Sequence, residues 1–426
     1  MSSFSGRGPG LGLVGATSLA ITIVIGSGAL ILPGIAYREA GHAAVWAWVF
    51  AAVLVLPLLA VLGRLGQALP GAAGVAGYLR AAFGPRAAAA TETLLIGTFC
   101  VGIPGIALAG GHYLAATVGL SPDFGAAGAI AMVAASVLLN CTGTRLSGAV
   151  QSVLCALLLV ALVTIALCGV LMGTAPRPEP LFSSDALVTG LAGVGTVFFA
   201  FTGWELVSFT TGEYARPKRD FPWVLAISYL VVTALYVLLS LAVQSTLVPE
   251  EPHLDLRPME LVMHALFGGA ASKSVAAMST VLLLASVLGN SWGASRLVMS
   301  SASEGLLPAG LREVNRFGVP HRAVVACGIA FGVVIAANSV GLVSIASILG
   351  LAGKNFLLLY LLCCAAHFKL FRGVWDRTVA VVGATLLAIP LFSFEWASLA
   401  WSAALLTSGF ALGSRQKTSD ESLVRR

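Results

Sequence analysis

Apolar runs of about 20 residues recur along this chain from end to end, each closed by a short polar, glycine- or proline-containing stretch. A run of that length crosses the hydrocarbon core of a bilayer as one α-helix. Inside hydrocarbon every backbone N–H and C=O must be satisfied by the protein itself, so such runs fold as helices. The runs predict twelve transmembrane helices, over 11–36, 44–63, 88–117, 124–141, 149–173, 187–212, 222–247, 273–300, 321–337, 341–366, 375–391 and 395–412. Composition agrees. Only 10% of the 426 residues are charged and 58% are hydrophobic, whereas about a quarter of a soluble domain is charged. No hydrophilic segment is long enough for a separate soluble domain, so 1–426 reads as a single transmembrane domain. The first run exceeds signal-peptide length and lacks a small-residue cleavage site, which makes it a retained helix.

Charge sets the expected orientation. With an even number of spans both termini share a side. Placing them in the cytoplasm leaves Arg38, Arg177, Arg257 and Lys273 outside and Lys354 within a span, so 19 of the 24 basic residues are cytoplasmic. That is the positive-inside bias, and it places the chain in the cytoplasmic membrane with a cytoplasmic tail over 413–426. The net charge of +6 is then loop charge facing anionic lipid, with no nucleic-acid partner implied.

Two spans carry residues that break helices at mid-depth. The first contains Gly26, Ser27, Gly28 and Pro33; the sixth reads Val197-Phe198-Phe199-Ala200-Phe201-Thr202-Gly203-Trp204-Glu205. Unwound backbone is tolerated at that depth only where it lines a cavity or is buried in protein. An offset of five spans reverses orientation, and paired interruptions in inverted halves point to a transporter binding site. A half-helix starting near Gly28 offers bare N–H groups and a positive dipole end to a carboxylate. Carbonyls freed where the preceding half ends suit an ammonium, and glycine lets a ligand approach the main chain. The competing use of Gly-Ser-Gly is a small-residue face for helix packing.

Several motifs together resemble one family. Ile25-Gly26-Ser27-Gly28-Ala29-Leu30-Ile31-Leu32-Pro33 is similar to the first-helix motif of the amino acid–polyamine–organocation (APC) superfamily. Phe201-Thr202-Gly203-Trp204-Glu205, with Glu213 to Pro222 after it, resembles that family's sixth helix and following loop, with Arg216 where asparagine is commoner. Ser303-Glu304-Gly305-Leu306-Leu307-Pro308 and Pro70-Gly71-Ala72-Ala73-Gly74-Val75-Ala76-Gly77-Tyr78 resemble its loops after helices eight and two. Compact length and Tyr360-Leu361-Leu362-Cys363 are most like bacterial exporters of methionine and branched-chain amino acids.

The resemblance implies an all-α LeuT-like fold with helices one and six broken. Two inverted five-helix repeats, about 11–173 and 187–366, would be followed by two extra helices over about 375–412. It also implies secondary transport of an amino acid by alternating access. The substrate site would draw on Val24, Ile25, Gly26, Ser27, Gly28, Phe199, Thr202 and Gly203. Ser27 and Gly28 would meet the carboxylate, and the carbonyls of Val24, Phe199 and Thr202 the ammonium. Phe199 would act as a lid or as core packing. Asn290, in the eighth span with Ser291 and Trp292, would contact the side chain or bridge helices.

Ionisable residues stranded in spans are costly and call for a partner or a role. Glu205, one turn from the sixth-helix break, is a proton-coupling candidate or a structural carboxyl. Lys354 is too deep to snorkel. It is the second coupling candidate, as a buried cation or as an ion-pair partner of Glu205. Glu92, near a span end, reads as structural. Apolar residues around the breaks favour a neutral, medium-sized apolar amino acid.

Other classes fit less well. The seven cysteines have neither metal-ligand nor extracellular pairing spacing and read as packing residues; the six histidines are scattered. No cofactor, metal, catalytic or nucleotide-binding motif is present, so the chain is not expected to be an enzyme or an ATPase. The alternative is an uncoupled exchanger, or a facilitator or channel for small polar solutes, although no repeated pore-lining pattern marks a channel.

Overall fold

The computed structural model describes residues 12–26, 28–69, 74–142, 148–175, 183–209, 214–393 and 396–424. Of the residues singled out above, Ser27, residues 70–73, Glu213 and Arg177 lie outside these. The described chain is helical throughout its regular elements. The first broken span is α1 (Leu13–Ile25) and α2 (Gly28–Ala40), with α3 (Ala44–Ala68) following. A short α4 (Gly74–Phe83) leads into α5 (Pro85–Val118), α6 (Gly125–Cys141) and α7 (Gly148–Met172). Then α8 (Ser184–Ala192) and α9 (Val194–Val197) reach a 3-10 turn, Phe198–Phe201, before α10 (Trp204–Phe209). The remainder is α11 (Pro217–Thr246), α12 (Pro258–Phe267), α13 (Gly269–Ser303), α14 (His321–Ser339), α15 (Ile345–Leu370), α16 (Val374–Ala388) and α17 (Trp396–Val424).

Among the described residues, nine helical stretches are long and apolar enough to cross a membrane. A tenth joins Ser184–Ala192 to Val194–Ser208 across a 43° bend. The first of the nine, Leu13–Ala68, runs 56 residues and holds α1, α2 and α3, more than one crossing can use. The last apolar stretch, Leu399–Gly413, is short. Physical criteria alone therefore return nine or ten stretches where the sequence predicts twelve spans. The chain is a multi-pass membrane protein.

Two helices stand where the sequence predicts loops. Each has only ten residues, too few to register in a span-length pattern. Val75, Tyr78 and Leu79 bury one face of α4; Met259, Val262 and Met263 do so for α12. The Tyr113 hydroxyl oxygen accepts from Met259 N–H at 3.3 Å and itself donates to the Leu30 carbonyl at 2.8 Å, tying α12 to α2 through α5.

Helix α5 organises the bundle. Pro85 in its first turn presets φ and leaves no N–H unsatisfied there. At 34 residues it is about 51 Å long, well beyond the hydrocarbon thickness. It packs against α4, α6, α13, α15 and α17, while α11 packs against α1, α3 and α7. At the broken spans Phe201 and Trp204, together with Trp48 and Tyr236 from α3 and α11, are fully buried.

Candidate functional site

The first break is set by backbone geometry. α1 ends at Ile25 and Gly26 turns the chain with φ 29° and ψ −143°, so α2 starts afresh at Gly28. The new helix opens with N–H groups that have no intrahelical acceptor. Gly28 is needed for a different reason: a Cβ there would fall 2.7 Å from both Cα and Cβ of Ala200. The two broken spans cross at this glycine, so the packing use and the break coincide in one motif.

The second break is longer. The chain tightens into the 3-10 turn, and Thr202 is extended at φ −95° and ψ 174°. Gly203 then takes φ 107°, a conformation that residues with side chains rarely adopt. The Phe199 carbonyl accepts from the Thr202 hydroxyl at 2.8 Å and from Thr202 N–H at 3.2 Å. The Gly203 carbonyl starts α10 by accepting from Leu206 and Val207 N–H at 3.0 and 3.1 Å. Its N–H donates to Glu205 Oε2 at 3.0 Å. The Tyr360 hydroxyl donates to the same oxygen. Glu205 is fully buried, and its Oε1 has no partner among the described residues.

Between the breaks lies a small cavity of about 50 Å³. Val24, Gly26, Gly28, Phe199, Thr202, Gly203, Glu205 and Asn290 all line it, so the fold brings most of the sequence-predicted residues to one place. Ile25 is fully buried in the core beside it. Lys354 is not part of the lining. It is two residues from Phe356, which is, and two residues turn a helix by about 200°, onto the opposite face. Glu205 takes hydrogen bonds from Tyr360 and Gly203. The Asn290 amide donates to the carbonyl of Ser286 one turn back, at 2.9 Å.

The comparisons with known proteins agree with this geometry. The family model described as amino acid permease matches residues 11–421. The chain belongs to the amino acid permease family. It is 27% identical over 399 residues to the uncharacterized amino acid permease YecA of Bacillus subtilis (strain 168), covering 92% of this chain and 93% of that one. It is 27% identical over 428 residues to the L-methionine/branched-chain amino acid exporter YjeH of Escherichia coli (strain K12), covering 99% and 100%. Among solved structures, MhsT in complex with L-phenylalanine superposes with a TM-score of 0.64 at 14% identity, over 91% of this chain and all of that one. The fold is LeuT-like, and the family is one of transporters, not enzymes.

The cavity of this permease has walls that sequence reading missed. Thr98, Phe99, Gly102, Ile103 and Ile106 come from α5, Ser286 from α13 and Phe356 from α15. Tyr236 on α11 was also missed, yet it links the breaks. Its hydroxyl lies 3.0 Å from the Val24 carbonyl, 3.4 Å from that of Ile25 and 2.9 Å from that of Ala200. The available signal was a tyrosine at mid-span, since a phenolic hydroxyl in hydrocarbon must find a partner.

Glu92 has a structural setting, where the two motif-bearing loops meet. Ser301 donates to its Oε2 at 2.7 Å, and the Arg80 guanidinium lies 3.8 Å from its Oε1 and 2.5 Å from Glu304 Oε2. One arginine on α4 thereby bridges carboxylates of α5 and of the segment after α13. Arg80→Ala leaves a nearly buried carboxylate oxygen without its cation and is expected to cost about 1–3 kcal/mol of stability. Thermal unfolding in detergent checks this; an unchanged midpoint would show the bridge to be idle.

Proposed function

We propose that this permease is a secondary active transporter of neutral, apolar amino acids that works by alternating access. The observation that carries the reading is a single cavity lined by both helix breaks, with Glu205 the only ionisable lining residue among the described ones. A zwitterion needs a donor set for its carboxylate and an acceptor set for its ammonium. The opening turn of α2 from Gly28, with Ser27 before it, supplies the first. The carbonyls of Val24, Phe199 and Thr202 supply the second. Val24 and Phe199 carbonyls each accept one protein hydrogen bond or more already, so an ammonium would share or replace these bonds. The wall of Phe99, Ile103, Ile106, Phe199 and Phe356 suits an apolar side chain, with Phe199 as the lid. YjeH, similar over the full length, is named as an exporter of methionine and branched-chain amino acids.

The architecture that goes with this reading has twelve spans. α1–α2 and α8–α10 each count as one, α3 as the second, and α16 and α17 as the extra pair after two inverted repeats of five. Both termini face the cytoplasm and the chain sits in the cytoplasmic membrane, as the basic-residue bias indicates.

Glu205 is the coupling site in this scheme. Its carboxylate joins Gly203 at the break to Tyr360 on α15, and a proton on the bare Oε1 would remove a charge from a site where charge is costly. Counterflow of the twenty amino acids in liposomes, with and without a pH gradient, tests the whole reading. Saturable exchange of apolar substrates is the expected result, and high flux without exchange would make the protein a channel. Glu205→Gln is expected to retain counterflow while losing the response to the gradient. A variant that still follows the gradient would remove Glu205 from coupling without touching the substrate assignment.

A further inference from the structure

A second, larger opening lies away from the cavity, bounded by α3, α11 and α16, with a volume of about 750 Å³. Along most of its length the walls are apolar: Leu56 and Leu59 from α3, Leu225 and Leu230 from α11, Val379 from α16. Leu56 is 50% and Leu230 65% exposed, so the groove opens on the surface that faces lipid. One end is polar. Arg64 stands there with its Nε 3.6 Å from Asp376 Oδ1 and its guanidinium 5.0 Å from the Phe371 ring centre. Its two terminal amino groups have no partner among the described residues. His367 lines the same end at 1% exposure, with Nδ1 unpartnered and Nε2 3.9 Å from Asp376 Oδ1. Gln67 donates to the carbonyl of Lys218 at 2.9 Å, which brings the basic start of α11 alongside.

We propose that this groove is a binding site for one anionic glycerophospholipid, its acyl chain along the leucines and its phosphate on Arg64. The form is that of a lipid: an open apolar trough continuous with a donor-rich end. A guanidinium with free amino groups binds phosphate oxygens in paired, charge-assisted hydrogen bonds. Charge selects the anionic class over a zwitterionic one. Among the described residues Asp376 is the sole carboxylate lining the polar end, and it is flanked by Arg64 and His367. Asp220, at the start of α11, lies 3.8 Å from Arg216. Among the described residues no second carboxylate lines the groove to receive a choline or ethanolamine head, whereas Lys218 and Arg377 add positive charge nearby.

The test uses purified full-length protein, stripped of lipid in detergent and mixed with dioleoyl-phosphatidylglycerol or dioleoyl-phosphatidylcholine. Native mass spectrometry counts adducts, and thermal unfolding reads protection. Roughly tenfold preference for phosphatidylglycerol is expected, the value of one charge-assisted contact. Arg64→Gln should bind both lipids but lose the preference. Ala60→Trp and Ala226→Trp, at exposed positions on opposite walls, fill the groove and should lose the adduct; the second serves if the first does not fold. Equal retention of the two lipids by the unaltered protein would overturn the proposal. So would phosphatidylglycerol retention unaffected by these substitutions, or equal protection by inorganic phosphate alone.

Discussion

Gly203→Val is expected to abolish transport in a protein that still reaches the membrane. Position 203 combines three demands. Its φ of 107° lies where a β-branched residue is a steric outlier. A Cβ would stand 3.3 Å from Val24 Cα and 3.4 Å from the Ile23 carbonyl oxygen, so the first broken span would have to shift. The residue also lines the cavity, and its N–H is one of the two donors to Glu205. Strain at such a position costs on the order of 1–3 kcal/mol before any displacement. Added methyl groups at this position would project into the proposed substrate site. Counterflow in liposomes, alongside size-exclusion elution of the detergent-solubilised protein, separates loss of function from loss of folding. Gly203→Ala should show the same defect in milder form. Transport by the valine variant at the unaltered rate would mean that neither the break nor its cavity handles substrate.

Tyr236→Phe is expected to destabilise the permease by about 2–3 kcal/mol and to cut transport by roughly tenfold or more. The change removes one oxygen from a fully buried site and takes with it the one hydroxyl proton that the Val24, Ile25 and Ala200 carbonyls share. Those carbonyls lie at the end of α1 and in the 3-10 turn, with no following helical turn to satisfy them. Trp48 and Phe201 pack on the same ring, with centroids 5.1 and 5.3 Å away, so the phenyl variant keeps its packing and isolates the hydroxyl. Tyr229→Phe is the matched control. It lies on the same helix, and its hydroxyl donates to the Ala52 carbonyl at 3.0 Å, remote from the breaks. It should lower the unfolding midpoint without a comparable loss of transport. Equal transport in the two variants would reduce Tyr236 to a packing residue.

The breaks were legible in the sequence because they are local events. Gly26 and Gly203 take positive φ, Gly28 allows two backbones to touch, and each stands in a short apolar run where a glycine pair or a carboxyl is conspicuous. Glu205 stood out for the same reason. Lys354 stood out equally and yet lies off the cavity, since charge in a span shows that a partner is needed but not which way the helix faces. The cavity-lining residues of α5 gave no signal. That helix touches neighbours on nearly every side, so its apolar positions follow no single stripe, and periodicity cannot say which of them face a cavity. The short helices α4 and α12 were invisible to a search by span length.

What the sequence determined by itself is the class of structure and the depth of its two interruptions. Scarce charge and recurring apolar runs leave only membrane-crossing helices, and hydrocarbon permits unwound main chain solely where protein or a cavity shelters it. Only the tertiary structure decided how each helix is turned about its own axis. A residue-to-residue rotation of about 100° separates a cavity wall from a lipid-facing surface. That rotation brings Tyr236 and Tyr360 from distant helices onto the two breaks, because packing between helices, not local sequence preference, fixes it.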